Sequence, residues 1–416
     1  MKLSKQSIPR SYSGDFLRYI SSSALANLVL PVFSLFLPLL ALQLGASELE
    51  IGLVGGASNA VYAFMPFIMG RFSDRGGARK LFIVVSLALL SIVSTLYFFS
   101  TSPLMLILLR LFEGLGWATF WPSIEASLTH DTSMDPRKVL TIFNFSWSSA
   151  AAVGPLLGSF LIFALSVRYS FLASSFLLEI ALILNLIALI RKGGPSLSVA
   201  QREPQSEKPE GAREQHESSS SRQRINPAFY ILSMIVCSIT SGVLYTFFPP
   251  FGKSVGISIL LIGAVSFTYG LFRFLVYLLT VREGFRHFLI SPGHRVRNCF
   301  ASLAILSLSS LLLTIQDRSG GIYFLSFAII GAAYSVIYSI SLVAMLAEAS
   351  PERMGASAGL FESSIGIGAA AGPIIAGAIS NNSLSMPFTL PALSLIPVVP
   401  MMILALRKGR FPLIPN

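Results

Sequence analysis

Charge is scarce in this chain. Only 12% of its 416 residues are Asp, Glu, Lys or Arg, about half the roughly 25% of an average soluble domain. Cysteine is scarcer still: Cys237 lies within an apolar run and Cys299 at the start of another, which leaves neither a disulfide framework nor paired metal ligands. No G-x-x-x-x-G-K-[ST] run occurs, so the phosphate cradle of a nucleotide-driven pump is missing. None of the four histidines, His130, His216, His287 and His294, falls mid-way along an apolar run. His130-Asp131 is an acid–base pair only by adjacency, in a loop. The expectation is a chain without enzymatic activity, cofactor or metal.

What is abundant is apolar surface. Ala, Val, Ile, Leu, Met, Phe, Trp, Tyr and Cys make up 53% of the residues and the mean hydropathy is +0.72. Runs of 18 or more apolar residues recur from end to end, which a water-facing globule could not bury. The chain reads as an all-α polytopic membrane protein with the lipid bilayer as its solvent. A span needs about 20 residues, and twelve candidates stand at 16–43, 49–70, 79–100, 103–129, 138–166, 169–190, 227–249, 256–281, 297–316, 321–348, 354–380 and 386–406. Pro31, Pro38, Pro122, Pro155 and Pro373 are expected to kink or break their helices. The first run is too long for a signal-peptide core and reads as a retained helix.

Residues 193–225 are rich in Ser, Pro, Glu, Arg and Gln and read as a disordered linker. They divide the chain into an N-terminal six-helix bundle (1–192) and a C-terminal one (226–416). The net charge of +11 does not gather on a soluble face, so nucleic acid is not an expected partner. It is a topology signal instead. Placing both termini and the linker in the cytoplasm puts 24 of the 30 Lys and Arg residues inside and leaves Arg168, Lys253 and Arg318 outside. The expected location is the plasma membrane, as a monomer.

Six and six helices invite a search for duplication. An offset of 218 residues lays Phe143-Asn144 on Phe361-Glu362 and Gly154-Pro155 on Gly372-Pro373. One Gly-Pro in an apolar helix is a bland kink; two at a single offset argue for a repeat.

Between the second and third spans stands Gly70-Arg71-Phe72-Ser73-Asp74-Arg75-Gly76-Gly77-Ala78-Arg79-Lys80. This resembles the G-x-x-x-D-R-x-G-R-[RK] signature of the major facilitator superfamily, with Ala78 in place of an arginine. The fourth span carries Arg110-x-x-Glu113-Gly114-x-Gly116, similar to that family's R-x-x-Q-G-x-G. The fifth carries Gly154-Pro155-x-x-Gly158, similar to an exporter pattern whose fuller copy is Gly359-x8-Gly368-x3-Gly372-Pro373 in the eleventh. The resemblance implies two pseudo-symmetric six-helix bundles around a central pore. It also implies a gate in which Asp74 lies against the start of the eleventh helix, Pro351 to Gly355, where a carboxylate is favoured.

Charged side chains inside the spans cost at least about 2.5 kcal/mol each if they face lipid at the centre. At 100° per residue, Arg110, Glu113, Trp117, Trp121 and Glu125 share one face of the fourth helix, as do Tyr334 and Tyr338 on the tenth. Arg110 and Glu113 are spaced either to neutralise each other or to meet solute. Asn27, Asn144, Tyr245, Arg273 and Glu362 complete the expected cavity set. Glu362 is the expected proton site, with a fixed ion pair to Arg273 as its alternative. Glu179 belongs to a peripheral helix and is expected to be paired or snorkelling.

These features point to a secondary transporter of a small solute, working by alternating access as a proton-coupled exporter. An uptake carrier, in which Arg110 and Arg273 clamp a carboxylate or phosphate, is the alternative. A receptor or enzyme without transport is a third class.

Overall fold

The computed structural model describes residues 14–65, 79–130, 136–191, 225–280, 282–291, 294–348, 354–380 and 382–408. Its long helices fall where the apolar runs are. They are α1 (Gly14–Gln43), α2 (Glu48–Tyr62), α3 (Arg79–Phe98), α4 (Pro103–His130), α5 (Pro136–Ala164), α6 (Val167–Arg191), α7 (Pro227–Val255), α8 (Ile259–Thr280), α9 (Arg295–Leu311), α10 (Gly321–Glu348), α11 (Met354–Ala378) and α12 (Leu390–Lys408). Ten of these are long and apolar enough among the described residues to cross a membrane; the described part of α2 is shorter, and the apolar part of α5 is Ser148–Ala164. The chain is an integral, multi-pass membrane protein.

Local chemistry sets several boundaries. Ser47 and Glu50 form a reciprocal capping box, with the Ser47 amide donating to Glu50 Oε2 at 2.8 Å and the Glu50 amide to Ser47 Oγ at 3.3 Å, and α2 starts there. Asn226 caps α7 by accepting from the Ala228 amide at 2.9 Å, with Pro227 at the first helical position. The helix ends at Gly256, whose φ of 93° few other residues tolerate.

Pro31, Pro38, Pro122, Pro155 and Pro373 all lie inside helices that continue past them, so of the two outcomes expected, a kink or a break, the break does not occur. One boundary is corrected. The seventh helix continues past the expected stop at 249, through Pro249-Pro250 to Val255. Neighbouring helices compensate the lost backbone bond in a membrane, which water-based rules for proline ignore. A further short helix, Glu283–Ile290, occupies the connection between α8 and α9. The linker, 193–224, lies outside the described residues.

The helices pack as two sets of six. In the first, α1 lies on α5 and α6, α3 on α4 and α6, and α2 on α4; in the second, α7 lies on α11 and α12, α8 on α10, and α9 on α10 and α12. The sets meet along two main seams, α2 with α11 and α5 with α8. Both seams use the same device. A Cβ at Gly52 would strike the Pro373 carbonyl, and one at Gly263 would strike the Ser159 side chain and approach the Pro155 carbonyl, so each Gly-Pro helix receives a glycine of the opposite set. The motif glycines face the other way: Gly154 and Gly158 lie on Pro31 and Phe36 of α1, Gly368 and Gly372 on Ser238 and Ile239 of α7. The duplication read at 218 residues is therefore also a duplication of contacts.

On the outer surface, Glu179 of α6 stands exposed half-way along its helix. Its Oε1 accepts hydrogen bonds from Ser91 of α3 and Ser175, each at 3.1 Å, so among the described residues it is paired with hydroxyls rather than with a cation.

Candidate functional site in the cavity between the halves

A cavity of about 410 Å³ lies between the two sets of helices, walled by α1, α2, α4 and α5 on one side and α7, α8, α10 and α11 on the other. Ten of the expected site residues reach it: Arg110, Glu113, Trp117, Trp121, Glu125, Tyr245, Arg273, Tyr334, Tyr338 and Glu362. Asn27 is buried in α1 and outside the cavity wall, its amide donating to the Ser23 carbonyl of its own helix at 2.8 Å. The same face of α1 meets the cavity further along, at Leu30 and Ser34. The side chain of Asn144 and the gate residues Gly70, Asp74, Arg75 and Gly77 fall outside the described residues, while Arg79 and Lys80 open α3.

The α4 motif builds the first wall. Arg110 and Glu113 form an ion pair at 2.6 Å with 3% and 0% side-chain exposure. Arg110 Nε also donates to the Val54 carbonyl at 2.9 Å and Nη2 to the Gly55 carbonyl at 3.4 Å. These carbonyls are within reach because Gly114 lets α4 approach the Ser58 carbonyl of α2 where a Cβ would collide. Glu113 accepts in addition from Trp117 Nε1 at 3.0 Å and from the Tyr97 hydroxyl at 2.6 Å. Every oxygen of the carboxylate is thus engaged, as a buried pair requires. Trp117 and Trp121 stack at 5.9 Å and 14° beside it.

Tyrosines build the second wall. The Arg273 guanidinium lies 4.5 Å from the centre of the Tyr334 ring and 5.4 Å from that of Tyr269, and Nη2 is 3.5 Å from the Tyr277 hydroxyl. Tyr334 in turn stacks on Tyr338 at 6.3 Å, and Tyr338 meets Phe361 edge-on at 5.1 Å. Among the described residues Glu362 is not ion-paired with Arg273; it lines the cavity from the second half, as Glu125 does from the first.

Ser58, Asn59 and Tyr62 of α2 and Thr246 of α7 also line the cavity and were absent from the expected set. The signal was available for α2. Gly55, Ser58, Asn59 and Tyr62 follow helical three- and four-residue spacing, a polar strip in an apolar span.

The sequence profile of the Major Facilitator Superfamily matches residues 16–373. Among solved structures, a bacterial homologue of the human lysosomal transporter Spinster, in an inward-facing and occupied conformation, superposes with a TM-score of 0.71 at 16% identity, covering 95% of this chain and 97% of that one. A mutant of the nucleoside transporter NupG superposes with a TM-score of 0.70 at 15% identity, covering 94% of this chain and 100% of that one. Comparison with curated protein sequences gives no significant match. The profile match over most of the chain, with twelve helices in two sets around a shared cavity, makes this chain a member of the major facilitator superfamily.

Proposed function

We propose that this membrane transporter exports a small solute in exchange for protons, by rocking its two six-helix sets about the cavity between α2, α11, α5 and α8. The observation that carries the coupling is the acid pair. Glu125 comes from the first set and Glu362 from the second, so any motion that opens or closes the cavity changes their separation. Two like charges facing one desolvated space repel, and a proton on either relieves that repulsion. Protonation and the approach of the halves are then linked in one step. The volume of about 410 Å³ suits an organic molecule of drug-like size. The export direction rests on the likeness of the Gly-Pro patterns to those of exporters.

The test uses proteoliposomes, an imposed pH gradient and a solute found by a thermal-shift screen. Glu362→Gln and Glu125→Gln should each abolish pH-driven accumulation while preserving solute exchange, which moves no net proton. Accumulation that survives both changes rules the coupling out. The Arg273 box supports a second reading, an uptake carrier gripping an anionic group; accumulation of a carboxylate or phosphate in the direction of the proton flux would select it.

Two further elements belong to the proposal. Both termini and the linker are cytoplasmic, which impermeant labelling of Ser218→Cys in intact cells checks by its failure. Asp74 acts as a gate, so Asp74→Asn slows transport and leaves solute affinity within a few fold.

A further inference from the structure

The connection between α8 and α9 is more than a loop. Arg282, Arg286, Arg295 and Arg297 stand against one acid, Glu283, with His287 and His294 among them. The Glu283–Ile290 helix is amphipathic. Leu289 is 3% exposed and turned to the protein, whereas Arg282, Arg286 and His287 are exposed and Phe288 is 49% exposed.

This helix is held in place. Asn298, in the first turn of α9, donates from Nδ2 to the carbonyls of Phe288 at 3.0 Å and Leu289 at 3.5 Å, which are among the orphan acceptors at the helix end. Ser291 Oγ and His294 Nδ1 lie 3.1 Å apart, and the His294 ring packs on Phe288 at 5.8 Å. Arg295 extends over the buried ring of Tyr230 at 5.8 Å, and Arg297 is exposed beside it. The helix begins three residues after α8 ends and finishes five before α9 starts, so it lies at the level where the two spans leave the hydrocarbon.

An exposed aromatic ring beside exposed guanidinium groups, at that depth, matches one environment. The ring suits the boundary of the acyl chains and the arginines reach phosphate oxygens. We propose that the Glu283–Ile290 helix, with Arg282 and Arg297, is a binding site for the headgroup of an anionic phospholipid. A free anion has no use for Phe288, and a zwitterionic lipid gives the arginines no excess charge to recognise.

The test is photo-crosslinking of the full chain in nanodiscs. A diazirine-bearing phosphatidylglycerol is compared with the matching phosphatidylcholine, and the adducts are mapped by mass spectrometry. Adducts on Arg282–Ser291 and His294–Arg297 are expected to be at least about fivefold more abundant with phosphatidylglycerol, the factor that one arginine near an anionic surface contributes. The triple change Arg282→Gln, Arg286→Gln and Arg297→Gln should bring that ratio to about one there, leaving adducts elsewhere and the unfolding temperature unchanged. If the triple variant misfolds, Arg286→Gln alone should lower the ratio by about fivefold. Equal labelling by both lipids, an unchanged ratio in a folded variant, or displacement by millimolar inorganic phosphate overturns the proposal.

Discussion

Arg110 and Arg273 face one cavity from opposite halves, and their surroundings differ in kind. Arg110 is tied by a carboxylate and two backbone carbonyls. Around Arg273 stand the ring faces of Tyr334 and Tyr269 and the hydroxyl of Tyr277. The first arrangement is directional and neutral, and suits a fixed part of the wall. Ring faces hold a cation through a broad electrostatic attraction with little angular demand. The first half thus presents a closed pair to the cavity and the second a positive charge on a soft mount.

Breaking the closed pair should have the largest effect. Glu113→Ala leaves Arg110 buried without its carboxylate and removes the acceptor of Tyr97 and Trp117, at a cost of about 3–5 kcal/mol in thermal unfolding. The combined Arg110→Met and Glu113→Leu should recover most of it, because a buried pair replaced as a unit leaves no stranded charge. Recovery of nothing would mean that the pair does more than balance itself.

The symmetry of the seams can be tested next. Gly52→Ala pushes a methyl into the Pro373 carbonyl and Gly263→Ala pushes one into the Ser159 side chain beside the Pro155 carbonyl, and each should cost about 1–3 kcal/mol. A cost confined to one of the two would show the seams to be equivalent in sequence and not in tightness.

The soft mount is probed by Arg273→Lys, which keeps the charge and loses the flat guanidinium. The expected loss is about 0.5–2 kcal/mol, smaller than for Glu113→Ala, with a larger change in solute affinity than in unfolding temperature.

The smallest effect lies outside the membrane. In the α9–α10 connection, Asp317 accepts from the Ser319 hydroxyl at 2.6 Å and from the amides of Ser319 and Ile322, both at 2.9 Å, which holds its carboxyl below the ordinary value. A depressed carboxyl stabilises above the ordinary carboxylate range and loses that contribution as pH falls through its own value. Amide exchange at Ser319 and Ile322 should therefore show less protection, relative to the intrinsic rate, at about pH 3 than at about pH 6. Asp317→Asn should remove that difference.

Much of the fold was legible because a bilayer imposes a length: apolar runs of about 20 residues announce their helices. The end of the seventh helix was set too early, since a helix runs on through Pro249-Pro250 only where its surroundings make good the lost backbone bond. The Glu283–Ile290 helix was missed because eight amphipathic residues between spans look like a basic loop. In the site, 100° periodicity found the stripes of α4 and α10. It could not decide which part of the α1 stripe turns inward, so Asn27 was placed in the cavity while Ser58, Asn59 and Tyr62 were passed over. Nor could spacing alone decide whether Arg110 and Glu113 pair or meet solute, because their remaining partners, the Val54 and Gly55 carbonyls and the Tyr97 hydroxyl, come from other helices.

Glu179 bears on how the protein is made. Its carboxylate enters the bilayer 12 residues from either end of α6, at the depth where charge is dearest. One hydroxyl donor travels with it on α6, but the other, Ser91, is encoded 88 residues earlier. Helices leave the ribosome in chain order, so α3 is already in the membrane when α6 arrives, and can receive the carboxylate as it moves from the insertion machinery into lipid. Reversing the order of these two helices by circular permutation would deny α6 that partner at entry, and would expose a dependence on synthesis order that the finished structure conceals.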